Sequence, residues 1–464
     1  MEKENKHFAV TILFAIFIMF FQYANARTKS TQALKKSGDL KISESSCNEV
    51  ENKLGQLLYV NVDGYGTIDG SAIHSDYIAM VNDLQIGGVL PHTDTNRVKS
   101  LKSAFSKLKT TTDLPLLIGV DDQVVYYNQD IGGKGFGLGY GAGFLKDNGY
   151  ASDDCLSAIA YLDAFLHRSV GINQSLGPTI EKNKTYGFLN QDASKVAPKI
   201  QSVVSQFDQL GVSTTMKHFP YTPDDYNLHK KSEDTNLSKD QVYAKTEIFR
   251  DTANKTDFAM STHLLNSNID PENMVTFSKT WVDNLRKDNG FNGLLMTDGL
   301  FMIRHYPDSV KQMAAKWPQD QIPLDTYSSM SSIFAARAIL AGHDLVLLES
   351  DSRATYRVFD DLMKIACYDK PVSAELRARI FESYDRISKW KKAHREQLTQ
   401  EVSIPEELEF EAARLYNKKC PDKKAFAAFK EKVEKLGIRS NLRESTGAPV
   451  PPKSSDSNLS EGTR

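Results

Sequence analysis

The sequence predicts a (β/α)8 barrel. Three observations lead there: eight short apolar runs of strand length recur between residues 56 and 348, segments with helical periodicity separate most of them, and several runs end at or near a charged or polar side chain. Eight strands interleaved with helices suit a closed ring better than an open sheet, and right-handed crossovers make that connectivity simple. An open, doubly wound sheet is the alternative.

The chain begins with a segment that does not belong to the barrel. Lys3 and Lys6 precede an apolar run over 8–21, and Ala24-Asn25-Ala26 has the small-x-small form of a cleavage site. Residues 1–26 therefore read as a signal peptide, the alternative being an uncleaved membrane anchor. The expectation is an exported protein, periplasmic or secreted, with no stable membrane insertion after cleavage. Residues 27–48 are rich in Lys and Ser and read as a flexible linker.

The barrel is expected over 49–395. Its strands are placed at 56–62, 86–91, 115–121, 171–178, 212–219, 257–264, 293–298 and 343–348, and helical spacing marks 97–109, 154–170, 193–210, 239–255, 279–288 and 328–341. An amphipathic helix at 373–394 follows the last strand. Charged, helical sequence over 399–437 reads as an accessory pair of helices, giving a helical extension at 396–440. The tail, 441–464, carries Pro449-Val450-Pro451-Pro452 among Ser, Asn and Gly and is expected to be disordered.

Composition excludes some functions. With 57 basic and 59 acidic residues the charge is nearly balanced, and nothing concentrates into the basic face that nucleic acid requires. Cys47, Cys155, Cys367 and Cys420 are spaced too widely for a metal knuckle or a redox pair. Export permits disulfides, and the three possible pairings are not distinguished by sequence. Cys47 lacks the context of a lipidated N-terminus. The glycine-rich stretch from Gly132 to Gly141 lacks the Gly-Lys-Ser/Thr ending of a phosphate loop and does not follow directly on a strand, so it reads as a loop.

In a parallel barrel the C-terminal strand ends converge on one face. Asp121, Glu181, Lys217-His218, His263 and Asp298 all fall at or just beyond such ends. One buried His or Lys is most simply a satisfied core residue; the convergence of five ends is what points to a site. Asp298 stands out. The apolar run Gly293-Leu294-Leu295-Met296 leads into Thr297-Asp298-Gly299, and a helix-like segment broken by Pro307 follows. That places a carboxylate at the mouth of the ring, although Asp is also a favoured helix N-cap.

The motifs around these residues resemble glycoside hydrolase family 3. Lys217-His218-Phe219-Pro220 matches its Lys-His-Phe-Pro motif. Phe277-Ser278-Lys279, Gly290-Phe291-Asn292-Gly293 and Thr297-Asp298-Gly299-Leu300-Phe301-Met302 resemble its Pro-x-x-x-Ser, Gly-Phe-x-Gly and Ser-Asp-x-Leu-x-Met signatures, and Ala341-Gly342-His343-Asp344 its Ala-Gly-x-Asp. Order and spacing agree over roughly residues 50–395. The family includes longer β-glucosidases whose second domain supplies a Glu acid. This chain is too short for that domain, so the resemblance is to the single-barrel β-N-acetylhexosaminidase branch.

That branch cleaves terminal N-acetylglucosamine from peptidoglycan or chitin fragments with retention and without metal or other cofactor, so the partner expected is an amino-sugar glycoside. Asp298 matches the nucleophile. The acid/base of the branch is a histidine on the loop after strand five, and His229 falls close to that place. Lys217, His218 and Asp121 match sugar-binding residues. Lys184 takes the place of an Arg after strand four, and His263 is placed with the substrate-binding group by its strand-end position.

This sequence departs from the family at the site. The family's Gly-His-Gly is absent from Pro220-Tyr221-Thr222-Pro223-Asp224-Asp225-Tyr226-Asn227-Leu228-His229, and Asn227 replaces the Asp that orients the histidine. Asp224 and Asp225 are alternative acids on the same loop. Strand three runs into Asp121-Asp122-Gln123-Val124-Val125 instead of Asp-x-Glu-Gly-Gly, and Lys184 is a weaker clamp than Arg. An active hydrolase and a sugar-binding barrel without turnover are both compatible with these residues. Asn-x-Ser/Thr sequons occur at Asn173, Asn183, Asn236, Asn254 and Asn458. A glycan at Asn183 would obstruct the site, which favours a bacterial periplasm over a eukaryotic secretory route.

Overall fold

The computed structural model describes residues 42–62, 76–91, 114–121, 153–180, 193–223, 234–316, 330–349, 351–416 and 420–438, together with a few isolated positions. The signal peptide, nearly all of the linker, most of the 97–109 helix, the stretch from Gly132 to Gly141, Glu181, Asn183, Lys184, the segment with Asp224, Asp225, Asn227 and His229, and the tail with Asn458 lie outside the described residues.

Eight parallel strands form the centre: β1 (Leu58–Asn61), β2 (Gly88–Leu90), β3 (Leu117–Val120), β4 (Gln174–Ser175), β5 (Ser213–Phe219), β6 (Phe258–Ser261), β7 (Leu294–Thr297) and β8 (Val346–Leu348). They are ordered β8-β1-β2-β3-β4-β5-β6-β7. A parallel bridge between Met296 and Leu345 joins β7 to the start of β8, and the Thr297 amide donates to the Leu345 carbonyl at 3.0 Å. The sheet therefore closes on itself as a (β/α)8 barrel, which rules out the doubly wound alternative. All eight predicted strands are present, each shortened at one end or both, and Asp298 begins the turn after β7.

Strands buried on both faces read as continuous apolar runs. Seven of the eight are buried at every residue; β5 is buried except at His218. A polar relay crosses the interior: the Tyr59 hydroxyl donates to Gln174 Oε1 at 3.0 Å, and Gln174 Nε2 donates to Thr215 Oγ1 at 3.2 Å. Burial pushes the Tyr59 hydroxyl pKa well up, so it stays a donor.

The helices are α1 (Glu44–Leu54), α2 (Ser75–Leu84), α3 (Asp153–Val170), α4 (Ala193–Gln209), α5 (Lys239–Lys245), α6 (Glu247–Thr252), α7 (Lys279–Asp283), α8 (Asp308–Ala314), α9 (Met330–Ala341), α10 (Ser352–Ala366), α11 (Pro371–Ala393), α12 (Arg395–Thr399), α13 (Glu406–Tyr416) and α14 (Lys423–Glu434). The predicted helix over 239–255 divides at Thr246, whose hydroxyl donates back to the Tyr243 carbonyl at 3.2 Å and so competes with the helical bonding there. After α7 the chain passes through a π-turn, Asn284–Asp288.

Helix α11 closes the bottom of the barrel. Buried Lys391 donates to Gln56 Oε1 at 2.9 Å and to the Gly87 carbonyl at 2.6 Å, just before β1 and β2. The extension packs on α3 through edge-on rings, Phe165 on Phe429 at 5.1 Å and Tyr161 on Phe426 at 5.7 Å. Two disulfides pair the cysteines: Cys47 with Cys367, Cα atoms 5.6 Å apart, and Cys155 with Cys420, 5.1 Å apart. Helix α1 begins inside the stretch that composition reads as linker; Ser43 caps it, and Cys47 and Val50 face the core. Among the described residues no helix is long and apolar enough to cross a membrane.

Candidate active site

The C-terminal ends of β3, β5, β6 and β7 place the described candidate residues around one rim. Asp121 follows β3 directly. Lys217 and His218 lie near the end of β5, where the pairing with β6 shifts register between Met216 and Phe219. Such an irregularity re-aims side chains that a regular strand would alternate. Both flanks of this strand end are fixed. The Ile180 amide donates to the Lys217 carbonyl at 2.9 Å, and the Thr262 amide to the Phe219 carbonyl at 2.8 Å.

Lys217 is buried and its ammonium donates to Asp121 Oδ1 at 2.6 Å, while the Asp121 side chain is 45% exposed. The pair presents a carboxylate outward and hides the cation beneath it. The next residue, His218, turns Nε2 toward Asp298 Oδ2 at 4.0 Å, beyond hydrogen-bond reach, with both side chains partly exposed. Two pairs, Asp121 with Lys217 and His218 with Asp298, thus stand side by side on the rim, joined through neighbouring residues of β5.

Asp298 does not cap the following helix. The 3-10 turn Leu300–His305 begins after Gly299 with no side-chain cap bond, and Pro307 then starts α8. One carboxylate oxygen, Oδ1, accepts from the Gly299 amide at 2.7 Å, and the Asp298 amide donates to the Ser261 carbonyl at 3.0 Å. A Cβ on Gly299 would lie 2.5 Å from the Phe301 ring, so a larger residue there would have to displace that ring.

His263 lies behind this turn. It is buried, with Nε2 3.0 Å from the Gly299 carbonyl and Nδ1 2.6 Å from Thr276 Oγ1. Beneath it His343 contacts Ser261 Oγ through Nε2 at 2.8 Å and the Ala338 carbonyl through Nδ1 at 3.1 Å. Burial pushes His343 down to about 3, so the ring is neutral, donates to Ala338 and accepts from the serine. Asp344, next in the chain, is fully buried and held by Arg286 at 2.7 Å, Arg386 at 2.8 Å and the Leu295 amide at 2.9 Å, which anchors the lower end of β7.

Sequence reading missed three supports of the rim. Tyr221, buried just after β5, pairs with Thr235 Oγ1 at 2.6 Å and accepts from Asn266 Nδ2 at 3.2 Å, so it joins both ends of the segment that contains His229. Thr276 is the partner of His263. Arg304 forms a two-pronged ion pair with Glu349, one contact at 2.6 Å, and donates to Ser331 Oγ at 2.8 Å, linking the turn after β7 to the end of β8. Thr276 does sit beside the Phe277-Ser278 motif; Tyr221 and Glu349 carry no such signal. Lys184 and His229 lie outside the described residues.

Among the described residues no group of three His, Cys, Asp or Glu side chains is placed to hold a metal ion. A carboxylate held by one oxygen, beside hydrogen-bonding groups and an imidazole, is equipped for polar bond cleavage on a hydroxyl-rich ligand.

A family model described as the glycosyl hydrolase family 3 N terminal domain matches residues 49–367. A curated β-hexosaminidase of Tolumonas auensis is 24% identical over 252 residues, which is 51% of this chain and 73% of that protein. A β-N-acetylhexosaminidase structure from Beutenbergia cavernae superposes with TM-score 0.58 at 21% identity, covering 76% of this chain and 99% of that one. A family 3 β-N-acetylglucosaminidase structure from a Paenibacillus species gives 0.56 at 20% identity, covering 76% of this chain but only 64% of that one.

Proposed function

The chain belongs to glycosyl hydrolase family 3 through its N-terminal domain, and we propose that it is an exported, retaining β-N-acetylhexosaminidase acting on terminal β-linked N-acetylglucosamine in peptidoglycan or chitin-type fragments. The observation that carries this reading is the gathering of Asp121, Lys217, His218 and Asp298 on the barrel rim. Asp298 attacks the anomeric carbon and forms a glycosyl-enzyme that water then hydrolyses. Asp121 and His218 hold sugar hydroxyls, with Lys184 as a further sugar ligand, and Lys217, expected from sequence to meet the sugar, supports the Asp121 carboxylate from beneath. His229 protonates the leaving oxygen and later activates water, its near-neutral intrinsic pKa suiting both steps. The names of the Tolumonas, Beutenbergia and Paenibacillus relatives support the amino-sugar specificity. The two disulfides support export, since such bonds persist in oxidising compartments.

The test is release of nitrophenol from an aryl β-N-acetylglucosaminide, a leaving group that needs little acid assistance. Turnover by the wild type, lost by at least about a thousandfold in Asp298→Asn with the thermal midpoint preserved, is expected. Unchanged rates in Asp298→Asn overturn the nucleophile assignment.

A second reading is a sugar-binding barrel without turnover. The altered loop, with no Gly-His-Gly and with Asn227 in place of an acid, favours it. Calorimetric binding of N-acetylglucosamine together with no nitrophenol release would select that reading.

A further inference from the structure

We propose that His263 is a positioning residue for the nucleophile: from behind the rim its ring holds the Asp298–Gly299 turn, and it does so without touching the sugar. The role rests on Asp298 as nucleophile. The Gly299 carbonyl can only accept, so the His263 nitrogen 3.0 Å away, Nε2, carries a proton and donates. The other ring nitrogen, Nδ1, lies 2.6 Å from the Thr276 hydroxyl oxygen. Thr276 Oγ1 donates its proton to the Thr262 carbonyl at 3.0 Å, which keeps its oxygen beside β6 and within reach of the ring.

The same strand end therefore grips the turn twice. The Ser261 carbonyl takes the Asp298 amide at 3.0 Å, and two residues later the His263 ring takes the Gly299 carbonyl. Between these anchors the Gly299 amide donates to Asp298 Oδ1 at 2.7 Å, leaving Oδ2 directed toward His218. Both ends of the Asp298–Gly299 segment are thereby fixed, and with them the direction of the attacking oxygen. His263 has no exposed surface, and its ring meets Tyr306 edge-on at 6.2 Å, so ligand does not reach it in this arrangement. A small error in nucleophile aim costs rate far more than ground-state affinity.

The experiment compares wild type, His263→Phe, His263→Gln and Thr276→Val on the aryl β-N-acetylglucosaminide, with inhibition by N-acetylglucosamine as the measure of sugar binding. Gln can donate to the Gly299 carbonyl and hydrogen-bond the Thr276 oxygen; Phe keeps the ring's bulk and can do neither. His263→Phe is expected to lose roughly tenfold to a hundredfold in kcat with the inhibition constant unchanged. His263→Gln is expected to recover most of that loss. Thr276→Val, which keeps the ring but removes its partner, falls between. Wild-type kcat in His263→Phe, or equal loss of kcat and sugar affinity in both Phe and Gln variants, overturns the role. Should His263→Phe not fold, Thr276→Val and His263→Gln decide it by the same split between kcat and affinity. A wild type without turnover overturns the proposed function and this role together; an active wild type with indifferent variants removes His263 alone.

Discussion

Lys217 and Asp121 form an asymmetric pair, and the asymmetry is testable. The ammonium is buried and the carboxylate is 45% exposed. Removing the carboxylate strands a cation away from water; removing the cation leaves an anion that water still reaches. Asp121→Ala is therefore expected to destabilise the fold by about 3 kcal/mol and Lys217→Met by roughly 1 kcal/mol, measured by urea unfolding. The reverse order would mean that the pair does not stabilise the fold in this way. At this scale the sequence was informative where a motif named the residue. Asp121, Lys217, His218 and Asp298 were all legible as strand-end side chains. Thr276 and Tyr221 were not, because each acts through a hydroxyl on a partner distant in sequence, and neither periodicity nor composition registers such a bond.

Strand positions were easy to read because runs such as Leu294–Thr297 are buried on both faces and bounded by Gly293 and Asp298. Helix boundaries were harder: a side-chain bond from Thr246 divided one predicted helix, and α1 was hidden by the Lys- and Ser-rich composition just before it. The connections between elements suggest a further test. Tyr221 ties Thr235 and Asn266 at the base of the β5–β6 connection. If that connection supplies the acid, Tyr221→Phe should lower kcat on an alkyl β-N-acetylglucosaminide roughly tenfold and leave the aryl substrate nearly unchanged, because only the poor leaving group depends on protonation. Equal effects on both substrates would assign Tyr221 to general packing instead.

At the scale of the whole molecule, the disulfides and the barrel floor offer tests of stability. Cys47–Cys367 closes a span of 320 residues and joins α1 to the end of α10, whereas Cys155–Cys420 fastens the extension to α3. Replacing Cys47 and Cys367 by Ser is expected to lower global stability by about 2–4 kcal/mol. Replacing Cys155 and Cys420 should mainly speed amide exchange in α13 and α14 while leaving the barrel protected. The pairing could not be read from sequence, since it depends on which helices meet in the closed ring.

Lys391 sets a pH dependence. Burial pushes its ammonium down to about 7, whereas in the unfolded chain it titrates near 10.4. Between those values the unfolded state binds the extra proton, so this group makes stability rise with pH, by up to about 1.4 kcal/mol per unit. Below about pH 7 the cost of the buried charge is fully present and constant. Denaturation from pH 7 to 10 should show the rise in the wild type and not in Lys391→Met; parallel profiles would contradict it.

The proposed covalent bond from Asp298 to the sugar can be trapped directly. An activated 5-fluoro-N-acetylglucosaminyl fluoride slows breakdown of such an intermediate, and peptide mapping by mass spectrometry then locates the label. One sugar per chain is expected, attached to the peptide that contains Asp298 and absent from Asp298→Asn. A label on another carboxylate, or inactivation-free turnover with no adduct at any time, would contradict it.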